Sequence, residues 1–168
     1  REALLEFADE RVYATLEESA DDRERAFRDR AIVTMLALTG ARGAELFSDP
    51  RDDHRTGLRW EDVDLERGVA VVFGKTRERQ PIPLTDRVVD ALERHHSVLN
   101  PADGDWPVFP TRHHASLANA AEEGLDARGW DTEGIETTLE ASTSMAVLRD
   151  HGIAPPALSK NGARSLMK

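Results

Sequence analysis

Two prolines, Pro81 and Pro83, restrict the possible folds of this chain more than any other feature, because they lie two positions apart in a segment typical of β-strands. After Gly57, the run LRWEDVDLERGVAVVFGKTRERQPIPL predicts three short strands, with turns at 66–68 and 74–76. Proline has no backbone N–H to donate, so a sheet accepts two prolines on one side of a strand only at its edge. We therefore expect a three-stranded antiparallel meander whose third strand is an edge strand.

Helical spacing precedes and follows this segment. Apolar residues at intervals of three and four, the last of them Leu16, predict a helix over 1–19. A second helix follows, for which Asp21 and Asp22 are the candidate N-terminal caps and Gly40 is the expected C-terminal stop. Thr85 is expected to cap a helix that ends near residue 98. Further helices are expected at 116–127, 132–141, 142–150 and from 159 onward.

The fold class is therefore α+β, mostly helical with a small three-stranded antiparallel sheet. We expect one unit over 1–168, with helices at 1–48, the meander at 57–84 and helices at 85–168. The chain has no cysteine, which excludes a disulfide scaffold, a thiolate metal site and a cysteine nucleophile. No apolar stretch approaches the ~20 residues that span a bilayer, so we expect a cytoplasmic protein without a membrane partner.

The charge balance argues against a broad basic surface for nucleic acid. The chain has 22 basic and 32 acidic residues, a formal net charge of -10, and its averaged field repels polyanions. Of the basic residues only Lys75, Lys160 and Lys168 are lysines, a pattern typical of a salt-adapted cytoplasm. Because the Debye length shrinks to about 3 Å at 1 M salt, net charge has little influence there on short-range contacts. An ordinary acidic protein is the alternative explanation of this composition.

Several familiar motifs are excluded by their spacing. Gly68 and Gly74 enclose five residues before GKT, whereas a phosphate-binding loop has four and leads into a helix. The histidine pairs 95–96 and 113–114 are expected to be solvated, because adjacent helical residues point about 100° apart and no carboxylate has ligand spacing. No serine lies in a GxSxG turn. We therefore expect neither nucleotide hydrolysis, nor a metal site, nor a hydrolase triad.

The most informative stretch is TGARGAEL, residues 39–46. Gly40 ends one helix, so Arg42 projects from the start of the next, where free N–H groups and the helix dipole favour an anion. Glu45 lies three residues on and is placed to hold the Arg42 guanidinium. Taken alone, this pattern is more often a surface ion pair worth a few tenths of a kcal/mol, because ion pairs at this spacing are common.

Two blocks of sequence resemble the tyrosine recombinases, also called phage integrases. TGARGAEL is similar to their first arginine box, TGxRxxE, and GLRWEDVDLERGVAVVFGKTRERQPIPL is similar to the strand and hairpin that follow it. The blocks match in order and separation, and the resemblance covers about 28–96. The downstream run, from WPVFPTRHH to the end, is similar to haloarchaeal integrase-like proteins. The fold this implies is that of a recombinase catalytic domain.

The resemblance implies a metal-free and cofactor-free reaction on double-stranded DNA. In this family a tyrosine attacks a phosphodiester and forms a 3′-phosphotyrosine link. Arg42 matches the arginine that stabilises the pentacoordinate phosphorane, Lys75 matches the lysine that protonates the leaving 5′-oxygen, and Glu45 matches the acid that steadies the arginine. Arg59, Arg77 and Arg79 are the candidate DNA contacts, followed by Arg112 and Lys160. Family members also assemble on DNA, so a homo-oligomer is possible.

Parts of the family pattern are not found. Arg164 follows Asn161, so NGAR departs from the HxxR box, and the second arginine is not assigned to it. The sole tyrosine, Tyr13, precedes Arg42 and is expected to be a half-buried aromatic of the first helix. We therefore expect the front part of a catalytic domain, cut before its second arginine box and unable to cleave DNA alone.

Two other functions fit the sequence. One is a non-catalytic DNA-binding or regulatory protein on a degenerate recombinase scaffold. The other is an acidic helical interaction module, which the net charge of -10 suggests and which binds no DNA at any salt concentration.

Overall fold

The computed structural model describes residues 2–15 and 19–166, so the predicted positions of Leu16 and Lys168 lie outside the described residues. In chain order the elements are α1 (Glu2–Ala14), α2 (Ala20–Leu38), α3 (Gly43–Leu46), a 3-10 turn (Trp60–Asp62), β1 (Val63–Asp64), β2 (Val69–Phe73), β3 (Arg79–Pro83), α4 (Asp86–Leu99), α5 (His114–Asp126), α6 (Thr132–Ala141), α7 (Ser144–Asp150) and α8 (Lys160–Leu166). The predicted fold class is confirmed. Within the described ranges, no helix is long and apolar enough to cross a membrane.

The caps of two helices differ from the sequence prediction. Ser19, and neither Asp21 nor Asp22, is the N-cap of α2, and its Oγ accepts a hydrogen bond from the backbone N–H of Asp22 at 3.3 Å. The helix begins two or three residues earlier than expected because this serine already satisfies a free N–H. Thr85 does precede α4, but its side chain makes no capping bond. Gly40 follows α2 with φ +73°, a conformation that glycine adopts without strain.

The sheet is the predicted meander, with strand order β1-β2-β3 and antiparallel pairing throughout. Pro81 pairs with Val71 and Pro83 pairs with Val69, so the prediction that β3 is an edge strand is confirmed. The first strand is only two residues long. The backbone of Trp60 donates to Trp106 O at 3.1 Å, so the chain before β1 pairs with the 104–108 loop and not with the sheet.

The core lies between α2, α4, the sheet and the loop at 101–110. Ile32 and Met35 of α2 and Leu92 of α4 are fully or almost fully buried, and Trp106 of the loop is 0% exposed. Burying such side chains is the main favourable contribution to folding, on the order of 2 kcal/mol each. The loop that joins α4 to α5 is therefore part of the core.

Two sequence predictions about aromatic side chains are wrong. Tyr13 is 74% exposed and not half-buried, because the buried residues of α1 are Leu5, Ala8 and Val12, and position 13 points about 100° away from Val12. His95 is completely buried and not solvated, because it continues the apolar spacing of α4 between Leu92 and Leu99. The other histidines of the two pairs, at 96, 113 and 114, are exposed as expected.

Candidate functional site

An open cavity of about 340 Å³ separates the start of α3 from the β2–β3 turn. We call it the Arg42 cavity. Its lining residues are Thr39, Gly40, Ala41, Arg42, Glu45, Lys75, Thr76, Gln80 and Ile82. Three side chains that the sequence singled out, Arg42, Glu45 and Lys75, therefore face one space although they come from two distant segments of the chain.

The position of Arg42 follows from the way α2 ends. Thr39 Oγ1 donates to the carbonyl of Met35 at 2.7 Å and accepts from the backbone N–H of Ala41 at 3.1 Å, which fixes the bend. Ala41 is buried, with 8% exposure, and anchors the segment in the core. Arg42 is the N-cap residue of α3 and is exposed. The bend thus presents the guanidinium to solvent from a rigid backbone.

Glu45 holds the backbone of Arg42 and not its guanidinium. Its Oε2 accepts a hydrogen bond from the Arg42 backbone N–H at 2.8 Å, and its own backbone N–H donates to the Arg42 carbonyl at the same distance. The side-chain bond is one half of a capping box, and the other half is missing because an arginine side chain has no acceptor atom. The expected ion pair between the Arg42 guanidinium and Glu45 does not form. Among the described residues, no carboxylate pairs with this guanidinium.

Lys75 lies in the turn between β2 and β3. The turn is closed by the backbone bond from Gly74 N–H to the Glu78 carbonyl at 2.9 Å, and Arg77 adopts a left-handed conformation with φ +62°. Lys75 is exposed. In the part of the chain that the structure describes, no carboxylate contacts its ammonium group. The cavity therefore carries two cationic side chains that form no ion pair among the described residues, and its one lining carboxylate, Glu45, is bonded to a backbone N–H.

Most other basic side chains are neutralised. The three candidate DNA contacts each face a carboxylate: Arg59 faces Asp105, Arg77 faces Asp52 and Arg79 faces Asp62. The arginines that form ion pairs with described carboxylates include Arg28, Arg30, Arg51, Arg55, Arg59, Arg67, Arg77, Arg79, Arg87, Arg94, Arg112 and Arg149. Among the described residues Arg11, Arg23, Arg128 and Arg164 also form no ion pair, so Arg42 and Lys75 are distinguished by lining one cavity together.

The two further DNA candidates are also engaged. Arg112 is ion-paired with Glu24 and its side chain is 9% exposed, which does not agree with the expectation that it contacts DNA. Burial lowers the pKa of Arg112, and the nearby positive charge of Arg149 acts in the same direction. Lys160 bonds Asp49 at 2.6 Å and ties α8 to the loop at 48–57.

The sequence did not single out three residues that line the Arg42 cavity, namely Thr76, Gln80 and Ile82. Gln80 and Ile82 are two apart in β3, opposite Val72 and Ala70 of β2. Alternation along an edge strand places both on one face. The period-two pattern of the predicted strand was therefore the signal that identifies them.

Comparisons with known proteins bear on this geometry. Residues 6–136 match the phage integrase family. The chain is 32% identical over 114 residues to tyrosine recombinase XerC of Xanthomonas axonopodis pv. citri, covering 68% of the chain and 33% of that protein. It is 31% identical over 90 residues to tyrosine recombinase XerD of Staphylococcus saprophyticus, covering 54% of the chain and 28% of that protein.

Among solved structures, the crystal structure of XerA recombinase aligns with a TM-score of 0.42 and 20% identity, over 94% of the chain and 45% of that structure. The chain spans about a third of the length of the curated relatives it matches. The match to residues 6–136 includes α3, the sheet and the whole Arg42 cavity. The chain belongs to the phage integrase family.

Proposed function

We propose that this chain supplies the first arginine and the hairpin lysine of a site-specific DNA recombinase, which cleaves and rejoins double-stranded DNA through a 3′-phosphotyrosine intermediate. One observation carries the proposal: Arg42 and Lys75 line the same cavity, and neither has a carboxylate partner among the described residues. In a chain with net charge -10, two such cations in one cavity suit a ligand that brings its own negative charge, as a DNA phosphate does.

The chemistry assigned to the two groups follows from their shapes. Arg42 presents planar, paired N–H donors to the non-bridging oxygens of the phosphorane, which carry the growing negative charge. The attacking tyrosine oxygen forms a bond to phosphorus while the bond to the 5′-oxygen breaks. Lys75 transfers a proton from Nζ to that leaving oxygen, so a neutral hydroxyl departs. Glu45 keeps the Arg42 backbone in place through its 2.8 Å hydrogen bond.

The nucleophile is proposed to lie outside this sequence. Tyr13 is the sole tyrosine of the chain, and it lines a different cavity together with Asp9, Val12, Phe27, Arg30, Asp90 and Arg94. Its location on α1 also favours a second candidate function, that of a DNA-binding protein on a recombinase scaffold without cleavage activity.

Covalent trapping on DNA separates the two candidates. The 168-residue chain, incubated with labelled duplex DNA and resolved on a denaturing gel, is expected to form no adduct. Extended by the segment encoded after Lys168, it is expected to form one. Arg42→Ala is expected to slow adduct formation by at least ~100-fold, because a positioned charge on the transition state is lost.

Arg11→Ala is the matched control, because Arg11 is an exposed arginine of α1 that lines a different cavity and not the Arg42 cavity. It is expected to leave adduct formation unchanged. An adduct formed by the 168-residue chain alone, or an Arg42→Ala protein that links to DNA at the normal rate, contradicts the proposed function. An extended protein that binds DNA without linking to it supports the non-catalytic alternative.

We further propose that the protein works at high salt, as its resemblance to haloarchaeal proteins implies, and that several copies assemble on one duplex. The acidic, lysine-poor composition supports the first part, since salt screens the repulsion among like charges. A thermal midpoint that falls as KCl rises contradicts it. Sedimentation showing one copy per duplex contradicts assembly.

A further inference from the structure

We infer that Arg55 is a positioning residue that fastens the turn carrying Lys75 to the helix that follows Arg42. The inference rests on the proposed function for its consequence, but its geometry is independent of it. Arg55 Nη1 donates to the carbonyl of Ala44 in α3 at 2.5 Å and to the carbonyl of Phe73 at the end of β2 at 3.3 Å. Its Nη2 lies 3.5 Å from the carbonyl of Gly74. One guanidinium thus joins both segments of the cavity.

Two of these carbonyl acceptors belong to residues close in sequence to Arg42 and Lys75. Ala44 comes two residues after Arg42, and Gly74 comes directly before Lys75. A carbonyl in so short a helix has few partners within the helix, so an arginine donor satisfies it well. The distance between the backbones of Arg42 and Lys75 is therefore set partly by the hydrogen bonds from the Arg55 guanidinium to these backbone carbonyls.

Arg55 itself is not placed to contact DNA. Its side chain is 15% exposed, its Nε lies 3.4 Å from Asp52 Oδ2, and its guanidinium carbon lies 5.6 Å from the centre of the Phe73 ring. The ion pair neutralises its charge and the ring covers it. Its donors are used inside the protein, in contrast with those of Arg42.

Asp52 extends the same connection to the far side of the turn. Its Oδ2 also accepts from Arg77 Nη2 at 3.3 Å. Gly74, directly before Lys75, and Arg77, two residues after it, are thus both held by one Asp52–Arg55 pair. That pair belongs to the loop at 48–57, whose own position is fixed by backbone bonds from Asp49 N–H to the Arg55 carbonyl at 2.9 Å and from Lys160 N–H to the Ser48 carbonyl at 2.9 Å.

The expected consequence is a loss of fixed separation between Arg42 and Lys75 when Arg55 is removed. Positioned catalytic groups are sensitive to such displacements, and a shift of about 1 Å costs on the order of 100-fold in rate. Arg55→Met keeps the apolar stem of the side chain and removes its donors. Arg51→Met is the matched control, because Arg51 lies in the same loop but its side chain is 79% exposed and its ion pair with Asp49 is local.

The first measurement uses the rarity of lysine in this chain. Labelling with 15N-lysine gives amide signals from Lys75, Lys160 and Lys168 only. In the unaltered chain the Lys75 amide is expected to have an order parameter in the rigid range, about 0.85, and Arg55→Met is expected to lower it towards 0.6. Lys160, whose amide bonds the loop at Ser48, is expected to stay unchanged and reports that the loop is still folded.

Two results overturn the inference: a Lys75 amide that is already mobile in the unaltered chain, or one that stays rigid in Arg55→Met. If Arg55→Met disturbs Lys160 as well, Asp52→Asn decides, because it weakens the contacts to Arg55 and Arg77 without removing the guanidinium. Asp52→Asn is then expected to lower the Lys75 order parameter and leave Lys160 unchanged, and an unaltered Lys75 signal overturns the inference.

The second measurement is a double-mutant cycle on the affinity for duplex DNA. Lys75→Ala is expected to weaken binding about fivefold, the size of one charge-assisted contact. Arg55→Met is expected to weaken it by a similar factor in the unaltered chain and by almost nothing in the Lys75→Ala background. Equal effects in both backgrounds mean direct DNA contact by Arg55 and overturn the positioning role.

The results can contradict the role of Arg55 and the proposed function independently of each other. If Arg55→Met frees the Lys75 amide but neither Arg42→Ala nor Lys75→Ala alters DNA binding or adduct formation, the proposed function is wrong and the structural role of Arg55 stands. If the Lys75 amide is unaffected while Arg42→Ala abolishes the adduct, the proposed function stands and the role of Arg55 is wrong.

Discussion

Two regions of this protein differ in whether their basic side chains form ion pairs. On the side formed by α1, α2 and α4, which we call the helical side, Arg30 lies between two carboxylates, with Asp9 at 2.5 Å and Asp90 at 3.2 Å. In the Arg42 cavity, Arg42 and Lys75 have no carboxylate partner among the described residues. Because the chain is strongly acidic overall, the absence of ion pairs at these two cations is a local feature that net charge does not reveal.

The difference separates stability from function. Paired and partly buried charges hold the three helices together, and each costs stability when its partner is removed. Exposed charges without partners contribute little to folding and are free to bind an anion. Substitutions on the helical side are therefore expected to change the free energy of unfolding and leave DNA binding intact, and substitutions in the Arg42 cavity are expected to do the reverse.

The largest effect on stability is expected from protonation of His95 at the buried side of α4. Its Nε2–H donates to the Val108 carbonyl at 2.6 Å, and its ring packs against Trp60 and Phe109. Burial lowers the pKa of His95 from 6.5 to about 4, with the Val108 carbonyl opposing this shift and the charge of Arg28 adding to it. The folded protein thus keeps this imidazole neutral.

The sign follows from proton binding. The unfolded chain binds more protons than the folded one between pH 6.5 and 4, so the stability is complete above pH 6.5 and is lost as the pH falls towards 4. The contribution of neutral His95 to the free energy of unfolding is on the order of 3 kcal/mol, of which about 2 kcal/mol is lost between pH 7 and pH 5. Urea denaturation at the two pH values measures it.

His95→Gln is expected to flatten this dependence, and His114→Gln, at an exposed position of α5, is expected to retain it. If His95→Gln and the unaltered chain lose the same stability between the two pH values, His95 is not the titrating group.

The next effect is expected from Arg30→Met on the helical side. The side chain of Arg30 is 14% exposed, and its loss leaves Asp9 and Asp90 without this partner. Burial alone raises the pKa of Asp9, but the hydrogen bonds and charges of Arg30 and Arg87 hold it below its usual value of 3.8. We expect a loss of about 1–2 kcal/mol at neutral pH.

Chemical denaturation provides the test, with Arg67→Met as control. Arg67 is 83% exposed in a 3.7 Å pair with Asp64, and its substitution is expected to cost less than about 0.5 kcal/mol. Because a lowered carboxyl pKa stabilises only above the unfolded value, the Arg30→Met deficit is expected to shrink as the pH falls below 3.8. A deficit that is equal for both variants contradicts the assignment.

Local chemistry made much of the fold predictable. The spacing of Pro81 and Pro83 identified an edge strand, because a missing N–H has the same consequence in any sheet. The first strand has only two residues because the residues before it bond the 104–108 loop, a partner some forty residues away that no local pattern indicates. The burial of His95, in contrast, follows from the spacing of α4, because position 95 lies on the same face as Leu92 and Leu99 although histidine is usually exposed.

The site was predictable in its parts and not in its assembly. Arg42 after a helix-ending glycine and Lys75 in a turn follow from nearby residues, whereas their common cavity depends on the packing of α3 against the sheet. Glu45 illustrates an ambiguity of spacing, since a carboxylate three residues on reaches either the arginine side chain or its backbone N–H. Arg55 lies in a loop without periodicity, so its carbonyl partners could not be inferred.

The smallest expected effect is on the salt dependence of DNA affinity, and it compares Lys75, which has no ion pair among the described residues, with a paired arginine. Each phosphate neutralised by a protein cation adds about 0.9 to the slope of log affinity against log salt for duplex DNA. Lys75 has no counter-ion to lose among the described residues, whereas Arg79 is ion-paired with Asp62. Lys75→Ala is therefore expected to reduce the slope by about 0.9 and Arg79→Ala by clearly less, because Arg79 is already neutralised before DNA binds.

Fluorescence anisotropy of a labelled duplex, titrated at several KCl concentrations, measures both slopes. Between about 0.05 M and 0.2 M salt, a slope difference of 0.9 changes the affinity ratio by roughly 3.5-fold, which is readily resolved. Arg77→Ala, whose arginine pairs with Asp52 at 3.3 Å, and Arg59→Ala, whose arginine bonds the Asp105 carbonyl at 2.6 Å, are expected to behave like Arg79→Ala. If these variants reduce the slope as much as Lys75→Ala, their ion pairs open on DNA, and the contrast between paired and unpaired cations does not decide which residues bind phosphate.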